Sequence, residues 1–272
     1  MAPTDPYAVT NQLDDTLIEV IVTRLEARGK HPAFARMLRD YLDAMGIDAA
    51  RTVLDLGCGT GVAARAIARR LGFAGRVVGI DLGPALVAAA ARLAAAEGLN
   101  IDFRVGDTRS LDLADGAFDA VVAHTLLSHV ADPAAVVREM GRLVRPGGMI
   151  GIFDGDYASL TFGNPDPAQG KANDEALING VVTSPRVMRQ MPRLLQAADL
   201  RLVASFPYVL AEMGTADFWL PGIESFRHLM PKAGVMTVPA ADAWAAALRR
   251  DSEAGVFFGA SNYYGYVAQR PL

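Results

Sequence analysis

The chain has 272 residues, of which 51% are apolar and 21% charged, and its formal net charge is −4. This length suits one large α/β domain with insertions, and the acidic balance argues against a nucleic-acid partner bound through a broad basic surface. Cys58 is the only cysteine, which excludes an intrachain disulfide and a multi-cysteine metal site. No signal-peptide pattern and no membrane-spanning apolar run occur, so we expect a cytoplasmic protein without a membrane span.

The first 48 residues precede the first predicted strand. Residues 1–12 look loose, because they hold two prolines and few apolar anchors. Helical spacing of apolar residues then predicts helices over residues 13–28 and 33–45. Two helices in this place either cover the sheet or form a lid over a ligand. As a lid, they would bring Phe34 toward a substrate.

The stretch at residues 53–61 reads as a buried strand that runs into a glycine turn, followed by a helix. The glycines of the turn are Gly57, Gly59 and Gly61. In an open α/β sheet, ligands bind where strands end and helices begin. The turn departs from a dinucleotide fingerprint, since Val62 stands where the third glycine would be. Asp55 lies inside the motif and would repel a pyrophosphate, whereas it suits a cation. The motif therefore favours a positively charged ligand, and NAD(P) is the runner-up cofactor.

Acidic residues end the next two predicted strands. Asp81 closes the second strand about twenty residues after the glycine turn, where a carboxylate can accept hydrogen bonds from a ribose diol. A helix N-cap is the other reading of Asp81. Leu82 follows it and belongs to the same candidate site. Asp107, followed by Thr108, closes the third strand, and an Asx-turn is its alternative role.

These motifs together resemble class I S-adenosylmethionine (SAM)-dependent methyltransferases, with the nearest likeness to the ubiquinone and menaquinone biosynthesis enzymes. The likeness covers roughly residues 50–155, including the Arg-Pro-Gly-Gly turn at 145–148. It implies SAM as cofactor, S-adenosylhomocysteine (SAH) as product, and contact of Asp107 with the adenine amine. Thr108 replaces the more usual alanine. The implied fold is a seven-stranded Rossmann-like sheet, mostly parallel with the last strand antiparallel beside the sixth, with helices on both faces and a helical cap.

Two histidines follow the fourth predicted strand, close to where the reacting methyl group would lie. Histidine is the natural candidate for a general base, because its ordinary pKa is about 6.5. His129 matches a histidine of the family's loop, where it either anchors the loop or works as acid or base. His124 is expected to line the cofactor pocket and is the second catalytic candidate. The two lack a third ligand, so no metal is expected.

The chain beyond residue 155 resembles the family less closely. We predict a fifth strand at 149–153, a loop at 156–170 and a sixth strand at 201–209. Ser184 and Pro185 are expected as N-cap and first residue of a helix that ends near residue 198. The seventh strand is expected at 256–270.

The segment at 211–255 is longer than a hairpin needs and is rich in aromatic residues and methionine. It is either ordinary helix core or a cap over the substrate. We therefore divide the chain into a lid (1–48) and a SAM-binding domain (49–272) that carries this cap. The candidate substrate contacts are Phe34, Asp154, Tyr208 and Trp219.

An enclosed, apolar pocket would suit a small, largely apolar or aromatic molecule, methylated at O, N or C. Two alternatives remain: a reaction that uses bound SAM without methyl transfer, and a non-catalytic SAM-binding protein. The sequence is compatible with a monomer or a homodimer.

Overall fold

The computed structural model describes residues 5–272 and contains one seven-stranded sheet in the order β3-β2-β1-β4-β5-β7-β6. The strands are β1 (Thr52–Leu56), β2 (Arg76–Asp81), β3 (Asp102–Val105), β4 (Phe118–His124), β5 (Val144–Phe162), β6 (Arg201–Gly214) and β7 (Phe257–Gln269). Strands β1 to β5 pair in parallel, while β7 lies between β5 and β6 and is antiparallel to both. This confirms the predicted Rossmann-like sheet, including its antiparallel last strand.

Helices connect and cover these strands. They are α1 (Asp15–Lys30), α2 (Pro32–Ala44), α3 (Val62–Ala68), α4 (Pro84–Ala96), α5 (Pro133–Leu143), α6 (Pro167–Val181), α7 (Val187–Ala197), α8 (Trp219–Lys232) and α9 (Val238–Glu253). Several begin where the sequence supplies a cap. The side chains of Asp14, Asp132 and Thr237 accept hydrogen bonds from the first turns of α1, α5 and α9. The two predicted N-terminal helices are thus confirmed within two residues.

The core lies on both faces of the sheet. Val53 of β1 packs into a cluster with α2, α3, α8 and α9, whereas its neighbour Leu54 packs into a cluster with α5 and α7. Successive side chains of a strand point to opposite faces, so a strand covered on both sides is apolar throughout. This is why the motif at 53–56 has no polar residue except Asp55, at the ligand-facing end.

The predicted ends of two strands are wrong. β5 continues to Phe162 instead of ending at residue 153, and β6 continues to Gly214 instead of residue 209. Both are lengthened by pairing with β7, which reaches as far as Phe162 on β5 and Gly214 on β6. The segment predicted as a loop at 156–170 is therefore partly strand, and its last residues belong to α6.

The predicted start of α7 is also wrong, because the helix begins at Val187 rather than at Pro185. Ser184 is held elsewhere. Its backbone N–H donates to the carbonyl of Ser128 at 2.7 Å, and its hydroxyl donates to the carbonyl of Val130 at 3.0 Å. These bonds fasten it to the loop after β4 instead of the start of α7.

The segment predicted to be loose contains a short 3-10 helix at Pro6–Gln12. Residues 1–4 of that prediction lie outside the described residues. The side chain of Asp5 caps the 3-10 helix by accepting from the backbone N–H of Tyr7 at 3.0 Å, and it is only 2% exposed. The turn therefore begins with a buried charge, which needs a partner.

Candidate functional site

The glycine turn between β1 and α3 has the backbone that only glycine adopts easily. Gly57, Gly59 and Gly61 have φ angles of +65°, +54° and +78°. A Cβ on Gly57 would lie 2.5 Å from Leu126 Cδ1, and one on Gly61 would lie 2.7 Å from Phe103 Cζ. Gly57 and Gly59 line a cavity, whereas Gly61 packs toward β3 and starts α3.

Two adjoining cavities lie at the carboxyl ends of β1, β2 and β4. We call the cavity lined by the glycine turn and Arg28 the inner cavity, and the cavity lined by Leu82 and Asp107 the outer cavity. They share a wall that includes Tyr7, Asp81 and His129.

The cavities bring most of the predicted residues together. The inner cavity is lined by Phe34, Asp55, Gly57, Gly59, Asp81, His124 and His129. The outer cavity is lined by Gly57, Asp81, Leu82, Asp107, Thr108 and His129. Gly61, Asp154, Tyr208 and Trp219 line neither of the two.

Asp55 is buried under the glycine turn and is 1% exposed. One carboxylate oxygen accepts from the backbone N–H of Ala64 at 3.0 Å, while the other, Oδ1, is buried with no hydrogen-bond partner. Burial raises the pKa of Asp55 to about 7, against the hydrogen bond from Ala64 and with a further contribution from the Asp81 charge. A buried acceptor without a donor suits a ligand that brings positive charge or N–H groups.

Asp81 connects the end of β2 to the glycine turn. Its Oδ2 accepts from the Gly59 N–H at 2.8 Å, and its Oδ1 accepts from the Gly83 N–H at 2.9 Å. Burial raises the pKa of Asp81, and these backbone donors oppose the rise. Each carboxylate oxygen has a second lone pair, so both can still accept from a pair of ligand hydroxyls.

Asp107 borders the outer cavity, and its side chain is 41% exposed. Its carboxylate accepts from the Arg109 guanidinium at 2.5 Å, and this hydrogen bond lowers the pKa of Asp107. Its Oδ1 also accepts from the Arg109 backbone N–H at 3.0 Å, as in an Asx-turn. The structure therefore contains the predicted alternative role of Asp107, at a position that still borders the cavity.

His129 forms a buried pair with Asp5. Its Nδ1 lies 3.0 Å from Asp5 Oδ2, and the same carboxylate accepts from the backbone N–H and hydroxyl of Thr183, each at 2.8 Å. Burial alone would lower the pKa of His129, but Asp5 and then Asp154 outweigh it and raise that pKa above its ordinary value. Since Nδ1 is engaged by Asp5, Nε2 is the ring nitrogen left for a ligand.

His124 has a different environment at the end of β4. Its Nδ1 lies 3.1 Å from the Tyr41 hydroxyl, and its ring stacks on Phe153 with centroids 4.9 Å apart. Burial, with help from the positive charge of Arg28, lowers the pKa of His124 to about 3. It is therefore a neutral ring in the wall of the inner cavity.

The four candidate substrate residues lie in different places. Phe34 borders the inner cavity, but Asp154 is fully buried behind it and accepts from the Ser128 and Gly155 N–H groups. The hydroxyl of Tyr208 donates to Asp40 at 2.9 Å. Trp219 begins α8 and packs edge-on against Phe162, with centroids 5.4 Å apart.

Sequence reasoning missed several residues that the structure places in the inner cavity. Tyr7 comes from the segment predicted as loose, and Arg28 from α1. Arg28 donates to the Thr125 hydroxyl at 2.7 Å, and Thr125 has a φ of +60°. A threonine in this region is strained, and such strain concentrates at functional sites. The spacing of Arg28 on the buried stripe of α1 was the one available signal.

The fold and the site define a Rossmann-like protein with two cavities at the ends of its parallel strands. The family model described as "Methyltransferase domain" matches residues 53–148. The uncharacterized 37.1 kDa protein in transposon TN4556 of Streptomyces fradiae is 32% identical over 231 residues, or 84% of this chain and 65% of that protein. The ubiquinone biosynthesis O-methyltransferase of Pseudomonas paraeruginosa is 38% identical over 112 residues, or 41% of this chain and 47% of the relative.

The chain thus spans slightly under two thirds of the first relative's length and about half of the second's. Among solved structures, the cyclase SpnF shares the fold at a TM-score of 0.59 and 22% identity, over 88% of this chain and 82% of that one. Residues 53–148 thus form a methyltransferase domain of the class I SAM-dependent kind.

Within residues 5–272, no helix is both long and apolar enough to cross a bilayer. In the same part of the chain, no three His, Cys, Asp or Glu side chains are grouped so that they could hold a metal ion.

Proposed function

We propose that the protein transfers a methyl group from SAM to a small, largely apolar or aromatic molecule, and that His129 accepts a proton from the acceptor. The observation that carries this proposal is the position of His129. It lies in the wall common to both cavities, with Nδ1 engaged by Asp5, next to the acids expected to bind the cofactor.

The residues of the two cavities fit the charges of SAM. The free Oδ1 of Asp55 suits the positive methionine end, and Arg28 in the same cavity suits its carboxylate. Asp81, in the shared wall, suits the ribose hydroxyls. The outer cavity, with Leu82, Asp107 and Thr108, is left for adenine. When bound, SAM supplies a methyl group already activated by a positive sulfur.

The work of the chain is then to orient the acceptor and to take its proton. Asp5 holds the Nδ1 side of His129, so Nε2 is the acceptor in the neutral ring. Because the pKa of His129 is raised, the neutral ring that can accept a proton becomes the main form only at a pH above the ordinary pKa of histidine. His124 is too weak a base at a pKa of about 3, so we assign it to the wall.

The lid at 1–48 and the cap at 211–255 would close the site. Tyr7, Leu25 and Arg28 from the lid line the inner cavity, and Phe218 at the start of the cap stacks on Phe34 with centroids 5.9 Å apart. A wall of this kind excludes water and favours a small aromatic acceptor over a macromolecule. Trp219 of the cap and Tyr208 of β6 would then support this wall from behind.

The first experiment measures binding of the cofactor. Isothermal titration should show that SAM binds and that Asp81→Ala weakens binding strongly, because the ribose acceptor and the Gly59 contact are both lost. Unchanged binding in Asp81→Ala would contradict the cofactor site. Thermal melts of that variant show whether the fold survives.

The second experiment follows SAH release with a set of small phenols, amines and acids as acceptors. His129→Asn should lower the rate by about 100-fold or more while SAM binding is kept, since proton removal is lost. A full rate in this variant would contradict the role of His129. Conversion of an acceptor without SAH would indicate the non-methylating alternative, and SAM binding without any conversion would indicate a binding protein.

A further inference from the structure

Helix α1 places an arginine in the core. Its buried stripe runs through Leu17, Ile21 and Arg24 at helical spacing, and Arg24 is only 6% exposed. One turn further along, Arg28 borders the inner cavity. Two guanidinium groups of one helix therefore point to the same side, four residues apart.

Neither guanidinium has an acidic partner in the part of the chain that the structure describes. Among residues 5–272, no carboxylate oxygen lies within 4.0 Å of Arg24 or Arg28, although the same structure pairs many of its other arginines. Nη1 of Arg24 is buried with no hydrogen bond. Burial, and next the charge of Arg28, lowers the pKa of Arg24. A buried, unpaired charge is costly and needs a reason.

The surroundings of Arg24 supply aromatic rings instead of acids. Its Cζ lies 5.1 Å from the ring centre of Phe218, and that of Arg28 lies 5.0 Å from the ring centre of Phe34. Phe34 and Phe218 stack on each other, so both guanidinium groups border one continuous aromatic surface. Phe34 is also edge-on to Tyr263, with centroids 5.6 Å apart. Donors beside an aromatic wall fit a ligand with a flat body and an oxyanion.

The cofactor accounts for only one of these two charges. SAM has a single carboxylate, and Arg28 is the guanidinium that lies with the glycine turn in the inner cavity. Arg24 lies one helical turn away, under α8, where a Cβ on Gly222 would come within 3.1 Å of its Cζ. One positive charge is thus left over on the side of the cap.

We infer that the methyl acceptor carries a carboxylate or phosphate group and that Arg24 binds this oxyanion. The inference rests on the proposed function and narrows its substrate class from a small aromatic molecule to an acidic one. The planar guanidinium can donate two parallel hydrogen bonds to either group. Helix α8 shields the position from water, which strengthens the interaction.

The test uses the full chain saturated with SAH, and SAH binding by the wild type is measured first. Titration then compares trans-cinnamate and phenyl phosphate with cinnamamide, which has the shape of cinnamate without its charge. We expect at least one anion to bind about tenfold tighter than cinnamamide, and Arg24→Gln to abolish this preference without changing SAH affinity. Preference for cinnamate indicates a carboxylate, and preference for phenyl phosphate indicates a phosphate.

The matched control is Arg36→Gln, which removes an exposed positive charge from the next helix and should keep the anion preference. The inference is overturned if neither anion binds at millimolar concentration, if cinnamamide binds equally, or if Arg24→Gln retains the preference. Failure of the wild type to bind SAH would instead contradict the proposed function.

A second variant covers the case in which Arg24→Gln does not fold. Arg24→Met should raise the melting temperature of the ligand-free protein, because it removes a buried charge that has no partner. A lower melting temperature would show that Arg24 supports the fold by itself, and would also overturn the inference.

Discussion

Helix α1 carries two buried charge systems with opposite designs. Glu26 accepts from Arg65 and from the hydroxyl of Thr60, and Arg65 also pairs with Glu97, so the charge of Arg65 is balanced by carboxylates, although its Nε is buried without a hydrogen-bond partner. Among residues 5–272, Arg24 has no carboxylate partner, and its Nη1 is buried without a hydrogen bond. The contrast teaches that the fold pairs its structural charges internally, so that an unpaired one in the same helix indicates a ligand.

The largest loss of stability is expected when the network around Arg65 is broken. Arg65→Met should lower the free energy of unfolding by about 3 kcal/mol, because it leaves the largely buried Glu26 without its cation and leaves Glu97 with Arg69 alone. Urea unfolding measures this. Arg69→Met, which removes the exposed pair with Glu97, is the control and should cost less than about 1 kcal/mol. Equal losses would mean that the network is not structural.

Next in size is the ligand side of the helix. Arg28→Gln should weaken SAH binding by about 30-fold, or about 2 kcal/mol, since a charge-assisted bond to the carboxylate is lost. 5′-Methylthioadenosine lacks the amino-acid part and should bind both proteins equally. If titration shows that SAH and 5′-methylthioadenosine lose affinity equally in Arg28→Gln, then Arg28 supports the shape of the cavity and does not bind the carboxylate.

The acid of the cavity gives a pH prediction. Because burial raises the pKa of Asp55 to about 7, the folded protein keeps a proton there that the unfolded chain loses above its ordinary value of 3.8. Without a ligand, the contribution of Asp55 to the free energy of unfolding therefore falls as the pH rises from 3.8 to about 7, and it is constant above pH 7. A cationic ligand prefers the ionised form, so SAM affinity should rise by up to about tenfold per pH unit until pH 7.

Isothermal titration at several pH values checks this, and Asp55→Asn should flatten the dependence. Asp107→Asn is the control, because Arg109 lowers the pKa of Asp107 out of this range. A slope that survives in Asp55→Asn would assign the proton to another group.

The smallest loss of stability is expected when Glu26 loses its hydrogen bond from Thr60. Thr60→Val removes the 2.7 Å bond to Glu26 but leaves Arg65 in place, so the free energy of unfolding should fall by about 1 kcal/mol. A shift in the urea midpoint measures it. No shift would show that Arg65 alone satisfies Glu26.

The part of the site that could be predicted from sequence is the part whose signals are local. Asp55 and Asp81 each follow a recognisable strand, and parallel strands end at one edge of the sheet, so their meeting was predictable. The pairing of Asp5 with His129 joins residues 124 positions apart and has no local pattern. Arg24 was visible on the apolar stripe of α1, but spacing alone does not tell a snorkelling side chain from a buried one.

The fold shows the same limit. The existence of seven strands followed from short apolar runs between turns, whereas the ends of β5 and β6 are set by a partner that comes later in the chain. The 3-10 helix at Pro6–Gln12 has no apolar pattern that predicts it, because its anchor is the buried Asp5 and not an apolar residue.

The place of β7 between β5 and β6 has a consequence for synthesis. During translation, residues 201–256 leave the ribosome before the strand that attaches them to the sheet, so β6 lacks β7, its neighbour in the sheet, until residues 257–269 emerge. The glycine-turn half can fold earlier, as N-terminal units generally do. The nascent chain therefore passes through a stage with a long open strand edge, and this is when chaperones would matter most.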